Sequence, residues 1–352
     1  MSDRTGRAAA GYPELASFFE NTGMLLRSGV SAEEAVTLLR DEYASTGGAM
    51  HDALSSMADE LHSGQPLAAA MKHSGVFPSY ASAMTAVSEY TGRLEDTMFS
   101  LASYCRSEDR MSSALKSAAR YPLILLIMIT AVLTAMLTMV FPAFLGVYES
   151  LAGSLSASSH AYIGISLAVC RVLLAVMLIA LAAFITGMYM WGRGGRDRVR
   201  RFLSRFASFR ELFESIDLYR FSTCFEMFLS AGENQDEALS RSMAVAETEG
   251  VRERLSRVSG LMAEGKSFSQ AAYEEKLYDS VNGRMLIPAE RSGMLDEVML
   301  KMTEGLRENA EERAAAIADT AEPLLTGFLM ITIGIMLISI MLPLIGIMNS
   351  IG

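Results

Sequence analysis

The clearest pattern along the chain is three long apolar stretches that no charged side chain interrupts. These uncharged stretches are residues 121–148, 172–192 and 323–352. Each exceeds the roughly 20 residues that an α-helix needs to cross about 30 Å of hydrocarbon. The pattern therefore predicts three transmembrane helices. We place them at residues 121–144, 172–191 and 323–348.

Between these stretches, apolar residues recur at the spacing of amphipathic helices. Residues 15–28 and 218–231 each carry such a stripe, and a glycine follows each stripe, Gly29 and Gly232. Glycine at that position favours a left-handed helix stop. Ser31 with Glu34, and Asn234 with Glu237, then have the spacing of an N-cap and its N3 partner. No run alternates like a β-strand, so both segments are predicted to be all-α bundles.

The chain contains this unit twice. At an offset of 203 positions the matching residues of the first copy are Leu15, Phe18, Leu26, Gly29, Glu34 and Ala35. At an offset of 201 they are Leu54, Gly64, Ala70, Met84, Glu89, Gly92, Leu94, Arg106, Pro122 and Pro142. A single change of offset is explained by a longer loop at residues 45–48. The pattern indicates duplication of a bundle together with the membrane helix that follows it.

The expected organisation is an all-α membrane protein with two duplicated cytoplasmic helical bundles and three transmembrane helices. Its segments are a tail (1–14), the first bundle (15–120), the first span (121–144), an external connection with an interfacial helix (145–171), the second span (172–191), a basic linker with the second bundle (192–322), the third span (323–348) and the external C-terminus (349–352).

Basic residues give the orientation. Lys116 and Arg120 precede the first span, and five arginines follow the second between residues 193 and 201, whereas residues 145–160 contain none. The positive-inside rule then places both bundles and the N-terminus in the cytoplasm and the C-terminus outside. Arg171 is expected at the outer membrane boundary, since no acidic residue within a span could pair with it. The N-terminus has no apolar core of a signal peptide, so cleavage is not expected.

Composition narrows the function classes. The chain has 352 residues, 51% of them hydrophobic, and a net charge of −10. An acidic protein is a poor ligand for polyanions, so direct nucleic-acid binding is not expected. Cys105, Cys170 and Cys224 have no metal or disulfide spacing. We expect no metal and no cofactor.

The sharpest local motif is Glu-x-x-Gly-x-Leu. It comprises Glu89, Gly92 and Leu94 in the first copy and Glu290, Gly293 and Leu295 in the second. One interpretation is a helix end, a glycine reversal and a new helix start. The other is that the two carboxylates hold a network between helices or contact a partner. A hard cation is a further alternative, because carboxylate oxygens suit calcium or magnesium.

Four prolines flank the membrane segments. Pro122 and Pro323 are expected at the start of a span, where a missing N–H costs little. Pro142 and Pro343 are expected near the outer end, at a kink or a helix exit.

These residues resemble a known family. The opening F-x₆-LL-x-SG-x₄-EA from Phe18 to Ala35, the later Glu-x-x-Gly-x-Leu motif and the Tyr-Pro or Glu-Pro entry into a span are similar to the type II secretion F-domain family. The resemblance covers residues 15–350. Ser88 and Ala289 stand where the family usually has glycine, and the family's usual N-terminal extension is not seen.

The resemblance implies an inner-membrane platform protein of type IV pilus, type II secretion or competence-pilus machines. Such a platform would couple a cytoplasmic hexameric ATPase to extraction of pilin or pseudopilin helices. The implied partners are that ATPase, the pilins, other inner-membrane assembly proteins, the lipid bilayer and further copies of the chain. Which of the three machines it serves stays open.

Two other classes compete with this interpretation. An enzyme is disfavoured, because the chain has no Walker A, dinucleotide or H-E-x-x-H motif and its four histidines are isolated. A small transporter or channel subunit is the alternative function. It would normally have more spans, or polar residues along a path at the membrane midplane.

Overall fold

The computed structural model describes residues 10–45, 47–140, 142–143, 146, 157–192 and 196–351. All regular elements within these ranges are helical, which confirms the all-α prediction. The start of the N-terminal tail, most of the connection between the first two spans, Arg193 and residue 352 lie outside the described residues.

The first bundle contains five helices and the start of a sixth. They are α1 (Tyr12–Arg27), α2 (Ala32–Tyr43), α3 (Ala49–His62), α4 (Leu67–Ser74), α5 (Ser79–Thr91) and α6 (Leu94–Ala135). After α6 come a π-helical turn (Met136–Val140), α7 (Ala157–Gly192) and the short basic α8 (Arg196–Leu203).

The second bundle repeats the order of the first. It consists of α9 (Ala207–Ser230), α10 (Gln235–Ser242), a 3₁₀ turn (Met243–Val245), α11 (Glu249–Ala263), α12 (Phe268–Glu274), α13 (Ser280–Ser292) and α14 (Leu295–Ile351). The starts of α4, α5 and α6 precede those of α12, α13 and α14 by 201 residues, the offset found in the sequence. The helices themselves are therefore duplicated.

Each bundle opens with the predicted helical hairpin. Gly29 has φ +88° and Gly232 has φ +95°, in the left-handed region that favours glycine. In the first copy, Val30 N donates to Leu25 O at 3.0 Å, which closes the last turn as a Schellman motif does. The next helix starts as expected: the Ser31 side chain accepts a bond from Glu34 N, and the Asn234 side chain accepts one from Glu237 N.

Apolar residues of both bundles form one continuous core, and residues up to 114 and 211–312 make one compact unit. Aromatic rings fill the centre of each copy. Phe18 lies 4.9 Å from Phe77 in the first copy, and Phe225 lies 4.2 Å from Phe268 in the second, measured between ring centroids. Full burial of such a side chain stabilises the fold by about 1.5–3 kcal/mol.

The second compact unit, residues 115–210 and 313–352, holds the apolar stretches. Helices α6, α7 and α14 are each long and apolar enough to cross a membrane. Leu126, Ile129 and Leu133 of α6 are buried beside Met177 of α7, and Phe328 of α14 packs against this cluster. The three predicted spans therefore pack on one another.

Two expectations about helix ends differ from the structure. Pro122 lies inside α6 and Pro323 inside α14, so neither proline begins a helix. Each bundle's last helix simply continues into the apolar stretch, because the helical pattern of the bundle has no stop signal before the proline. Pro142 follows the π-helical turn, as expected for a kink, whereas α14 continues through Pro343.

Helix α7 also runs through Arg171 without a break. An interfacial segment before Arg171 would thus belong to the same helix as the second span. The position of Arg171 at the outer membrane boundary stays a prediction.

Candidate functional site

In both copies the motif glutamate accepts hydrogen bonds at the start of another helix. The Glu89 carboxylate, at the end of α5, accepts from Leu67 N at 2.7 Å and from Ala68 N at 3.2 Å. These N–H groups open α4 and have no partner within that helix. A carboxylate there also interacts favourably with the helix dipole. Glu89 therefore caps α4 from a distance of 21 to 22 residues along the chain.

The second copy repeats this arrangement. The Glu290 carboxylate accepts bonds from the backbone N–H and the hydroxyl of Ser269, near the start of α12. Desolvation opposes its ionisation, but hydrogen bonds from Ser267 and Ser269 outweigh that effect and lower the pKa of Glu290. The carboxylate is thus held in its charged form. Of the two interpretations of the motif, this geometry gives both glutamates a place in a network between helices.

The rest of the motif forms the turn that follows. Gly92 and Gly293 are exposed C-caps with φ +72° and +73°. Leu94 and Leu295 then begin α6 and α14, and Leu295 is buried. Substitution of either glycine would force a side chain into the left-handed region.

Residues inside the first motif contact the second bundle. The Thr91 hydroxyl donates to Ala231 O at 3.0 Å, and the Arg93 guanidinium donates to Ser230 O at 2.8 Å. Both carbonyls lie at the end of α9, where backbone acceptors have no helical partner. The Glu-x-x-Gly turn of the first copy is therefore an interface between the two copies.

A buried ion pair lies in the same interface. Arg220 of α9 donates from Nε and Nη2 to the two oxygens of Glu108 in α6, at 3.0 and 2.7 Å. The Glu108 side chain is only 1% exposed. Burial opposes the charge of Arg220, but the attraction and hydrogen bonds of Glu108 outweigh it and raise the pKa of the guanidinium. Bidentate geometry is the strongest form of this interaction.

Aromatic side chains surround the pair on the first copy's side. The rings of Tyr80 and Tyr104 lie 5.1 Å apart in an edge-to-face arrangement. Burial raises the pKa of both hydroxyls, and Cys224 of the second copy is among the groups that act on them. Water is thus largely excluded around Glu108, whereas the Arg220 side chain stays 23% exposed.

Sequence reasoning missed this interface. Glu108 and Arg220 are 112 residues apart, and the duplicated positions, Asn309 and Ser17, are uncharged. Only pairing information from the fold could have found them.

Glu226 is a second buried acid that the sequence did not single out. It lies in α9, where the first copy has Gly23. Desolvation, with a smaller contribution from Asp296, raises the pKa of Glu226 to about 7. This carboxyl is therefore a cost to the fold whenever it is ionised.

The described residues contain no group of three or more His, Cys, Asp or Glu side chains placed to hold a metal ion. Both motif carboxylates already accept backbone N–H bonds.

Comparison with known proteins places the chain in a class. The profile of the family described as "Type II secretion system (T2SS), protein F" matches twice, at residues 18–142 and 221–343. The two matches begin 221 − 18 = 203 residues apart and end 343 − 142 = 201 apart, which are the offsets of the internal repeat. The chain belongs to this family.

Individual relatives agree with the family assignment. The chain is 24% identical to the type IV pilus assembly protein PilC of Thermus thermophilus, over 97% of this chain and 84% of the relative. It is 22% identical to the type II secretion system protein F of Aeromonas hydrophila, over 98% and 89%. A shorter match, 34% over 36% of this chain and 31% of the relative, is to the protein transport protein HofC homolog of Escherichia coli.

The ion pair generates one prediction. Glu108→Ala leaves the mostly buried guanidinium of Arg220 without its partner and should destabilise the protein by about 2–3 kcal/mol. Glu20→Ala, which breaks the more exposed Glu20–Arg106 pair, should cost less than about 1 kcal/mol. Thermal unfolding of the purified protein in detergent compares the two. Replacing Glu108 and Arg220 together by Met should restore most of the loss, and equal effects of the two alanine variants would contradict the assignment.

Glu226 generates a prediction about pH. Its folded-state pKa is raised, so the folded protein holds the proton more tightly than the unfolded chain. Stability is therefore fully present below the ordinary glutamate pKa and is lost as pH rises through about 7. Glu226→Gln should match wild type near pH 4 and exceed it by about 3 kcal/mol at pH 8. Unfolding curves at both pH values measure this, with Glu297→Gln as the exposed control; a variant that is less stable at pH 8 would refute it.

Proposed function

We propose that this protein is the inner-membrane platform of a type IV filament machine. The observation that carries the proposal is that each copy of the family domain ends in a helix that continues without a break into a membrane-length apolar stretch. The family membership and the three apolar helices both indicate an inner-membrane protein. The names of the relatives, a pilus assembly protein and a secretion protein, support the same role.

Helix continuity suits a protein that transmits displacement. Helix α6 has 42 residues, which is about 63 Å at the usual rise per residue. It includes both Glu108 of the bundle and Leu126 of the apolar stretch. A motion imposed on the bundles would therefore move the membrane helices, which are the part of the platform that can touch pilin helices.

The partners follow from the two parts of the molecule. The bundles offer docking surfaces for a cytoplasmic hexameric ATPase, and the spans offer a surface for pilin or pseudopilin helices and for other inner-membrane assembly proteins. The basic helix α8 suits anionic lipid headgroups. Further copies of the chain complete the list. Pilus biogenesis, protein secretion and DNA uptake are all compatible with these parts.

The proposed orientation has both bundles and the N-terminus in the cytoplasm and the C-terminus outside. The basic residues near residues 116–120 and 193–201 support it. Reporters fused after Arg120 and after residue 352 should read cytoplasmic and external, and a cytoplasmic C-terminus would overturn the orientation.

The proposed role is mechanical and not enzymatic. The alternative function, a small transporter or channel subunit, predicts a different result: the purified protein in liposomes would conduct ions. The platform proposal expects no flux, and expects copurification with the assembly ATPase of the same organism.

The continuous helix can be tested directly. Replacing Ser117, Ala118 and Ala119 by three glycines should cost α6 about 3 kcal/mol of helix propensity and create a hinge. We expect filament or secretion output to fall strongly while the amount of protein in the membrane stays near wild type. Ser117→Ala, which keeps the helix, is the matched control. Wild-type output from the glycine variant would show that a rigid connection is not required.

A further inference from the structure

The contact between the two copies uses a different surface on each copy. The first copy contributes a surface that we call the motif face, formed by α5, the Glu-x-x-Gly turn and α6. The second copy contributes a surface that we call the hairpin face, formed by the end of α9 and the turn before α10. Thr91 and Arg93 of the motif face bind Ala231 and Ser230 of the hairpin face. The contact is therefore head-to-tail.

A head-to-tail contact between two copies of one fold leaves one surface of each kind unused. The second copy has its own motif face on α13 and α14, and the first copy has its own hairpin face on α1 and the turn before α2. Because the bundles are duplicates, these two remaining surfaces correspond to the two that already bind each other.

The remaining motif face is apolar and exposed. Met285 is 53% exposed, whereas its counterpart Met84 is fully buried. Val281 is 63% exposed and stands where the first copy has Tyr80, which is partly buried against the core. Met294 is also exposed, where the first copy has the interface residue Arg93. Exposed apolar side chains clustered on one surface indicate an interaction site.

The remaining hairpin face shows the same difference. Met24 in α1 is 52% exposed, whereas its counterpart Met227 in α9 is 4% exposed. Ser28 is exposed, whereas its counterpart Ala231 is buried against the first copy's motif. The first copy therefore presents to solvent the positions that the second copy buries.

We propose that the motif face of the second copy binds the hairpin face of the first copy in another molecule of this protein. The contact inside the chain serves as the template for the contact between chains. This inference names the surfaces through which copies of the chain would associate. It rests on the proposed function only in that the function includes a homo-oligomer.

The residues that differ between the internal contact and the proposed contact between chains are chemically consistent with a second copy of this chain as the partner. Ser292 keeps a hydroxyl where Thr91 binds a carbonyl of the second copy; it donates to Ala289 O in its own helix and would have to rotate to bind another chain. Gly305 stands where Tyr104 fills the internal contact, and a Cβ there would meet only open space, so the exposed face has room for a partner side chain. Asn309 and Ser17 replace Glu108 and Arg220, so the contact between chains has no buried ion pair. It should therefore be weaker than the internal contact and reversible.

The internal contact supplies the geometry for a cross-linking test. A Cβ built at Gly232 lies 3.9 Å from the Cβ of Thr91, which is within the range for a disulfide. The corresponding pair between chains is Gly29 of one molecule and Ser292 of another. Two full-length chains with different tags, one carrying Gly29→Cys and the other Ser292→Cys, are coexpressed in membranes and oxidised. We expect a disulfide-linked dimer that contains both tags.

Three controls make the result specific. Gly64→Cys replaces Gly29→Cys at another exposed glycine with nearly the same φ, +85° against +88°, and should give no dimer above background. Thr91→Cys with Gly232→Cys in one chain should cross-link within the chain. Met285→Asp, added to the Ser292→Cys chain, should weaken association by about tenfold or more, because an apolar contact would have to desolvate a carboxylate.

Some outcomes would overturn the inference. These are the absence of the mixed dimer while the internal control cross-links, equal yields from Gly29→Cys and Gly64→Cys, and dimers formed only between like variants. Protection of position 285 from a thiol reagent, in Met285→Cys, without a mixed dimer would assign the face to a partner of another kind. The readout does not depend on filament assembly, so the proposed function and this inference can fail separately.

Discussion

The structure depends most on the contact between its two copies, and the buried pair of Glu108 and Arg220 is at the centre of that contact. The two side chains come from helices that are distant in sequence, and the buried charge of Glu108 is tolerable only while Arg220 is beside it. Near this pair, Thr91 and Arg93 donate hydrogen bonds to the end of α9 and so fix the position of the first copy's motif against the second copy. The two bundles therefore act as one body with a shared core, from which both α6 and α14 lead into apolar stretches.

Duplication explains the architecture, and divergence after duplication explains the function that we propose. The motif glutamates have the same role in both copies. Each accepts hydrogen bonds at the start of the helix that precedes its own, α4 in the first copy and α12 in the second. The outer surfaces have not kept the same residues. Where the first copy has Glu108, Tyr80 and Tyr104 for a permanent internal contact, the second copy has Asn309, Val281 and Gly305. A permanent contact within the chain and a weaker surface outside it are what a platform needs if it is to hold its shape and still assemble.

Much of the fold could be predicted from the sequence, because its signals are local. Uncharged stretches of membrane length, apolar residues at helical spacing, and glycines at Gly29 and Gly92 report on neighbouring residues only. Interactions over long distances in sequence could not be predicted. Glu89 was recognisable as part of a motif, but its backbone partners at Leu67 and Ala68 lie in a different helix. The expectation that Pro122 stands where its missing N–H costs little was wrong, because α6 runs through it and the proline removes one hydrogen bond inside the helix.

Native-state hydrogen exchange tests most directly the claim that the two bundles are one cooperative body. The slowest amides of α1 and α5 in the first copy and of α9 and α13 in the second should share one free energy of opening. In Glu108→Ala that common value should fall in both copies together, because global unfolding is the shared route of exchange. Separate opening free energies for the two copies in the wild-type protein, with only one of them affected by Glu108→Ala, would contradict the account.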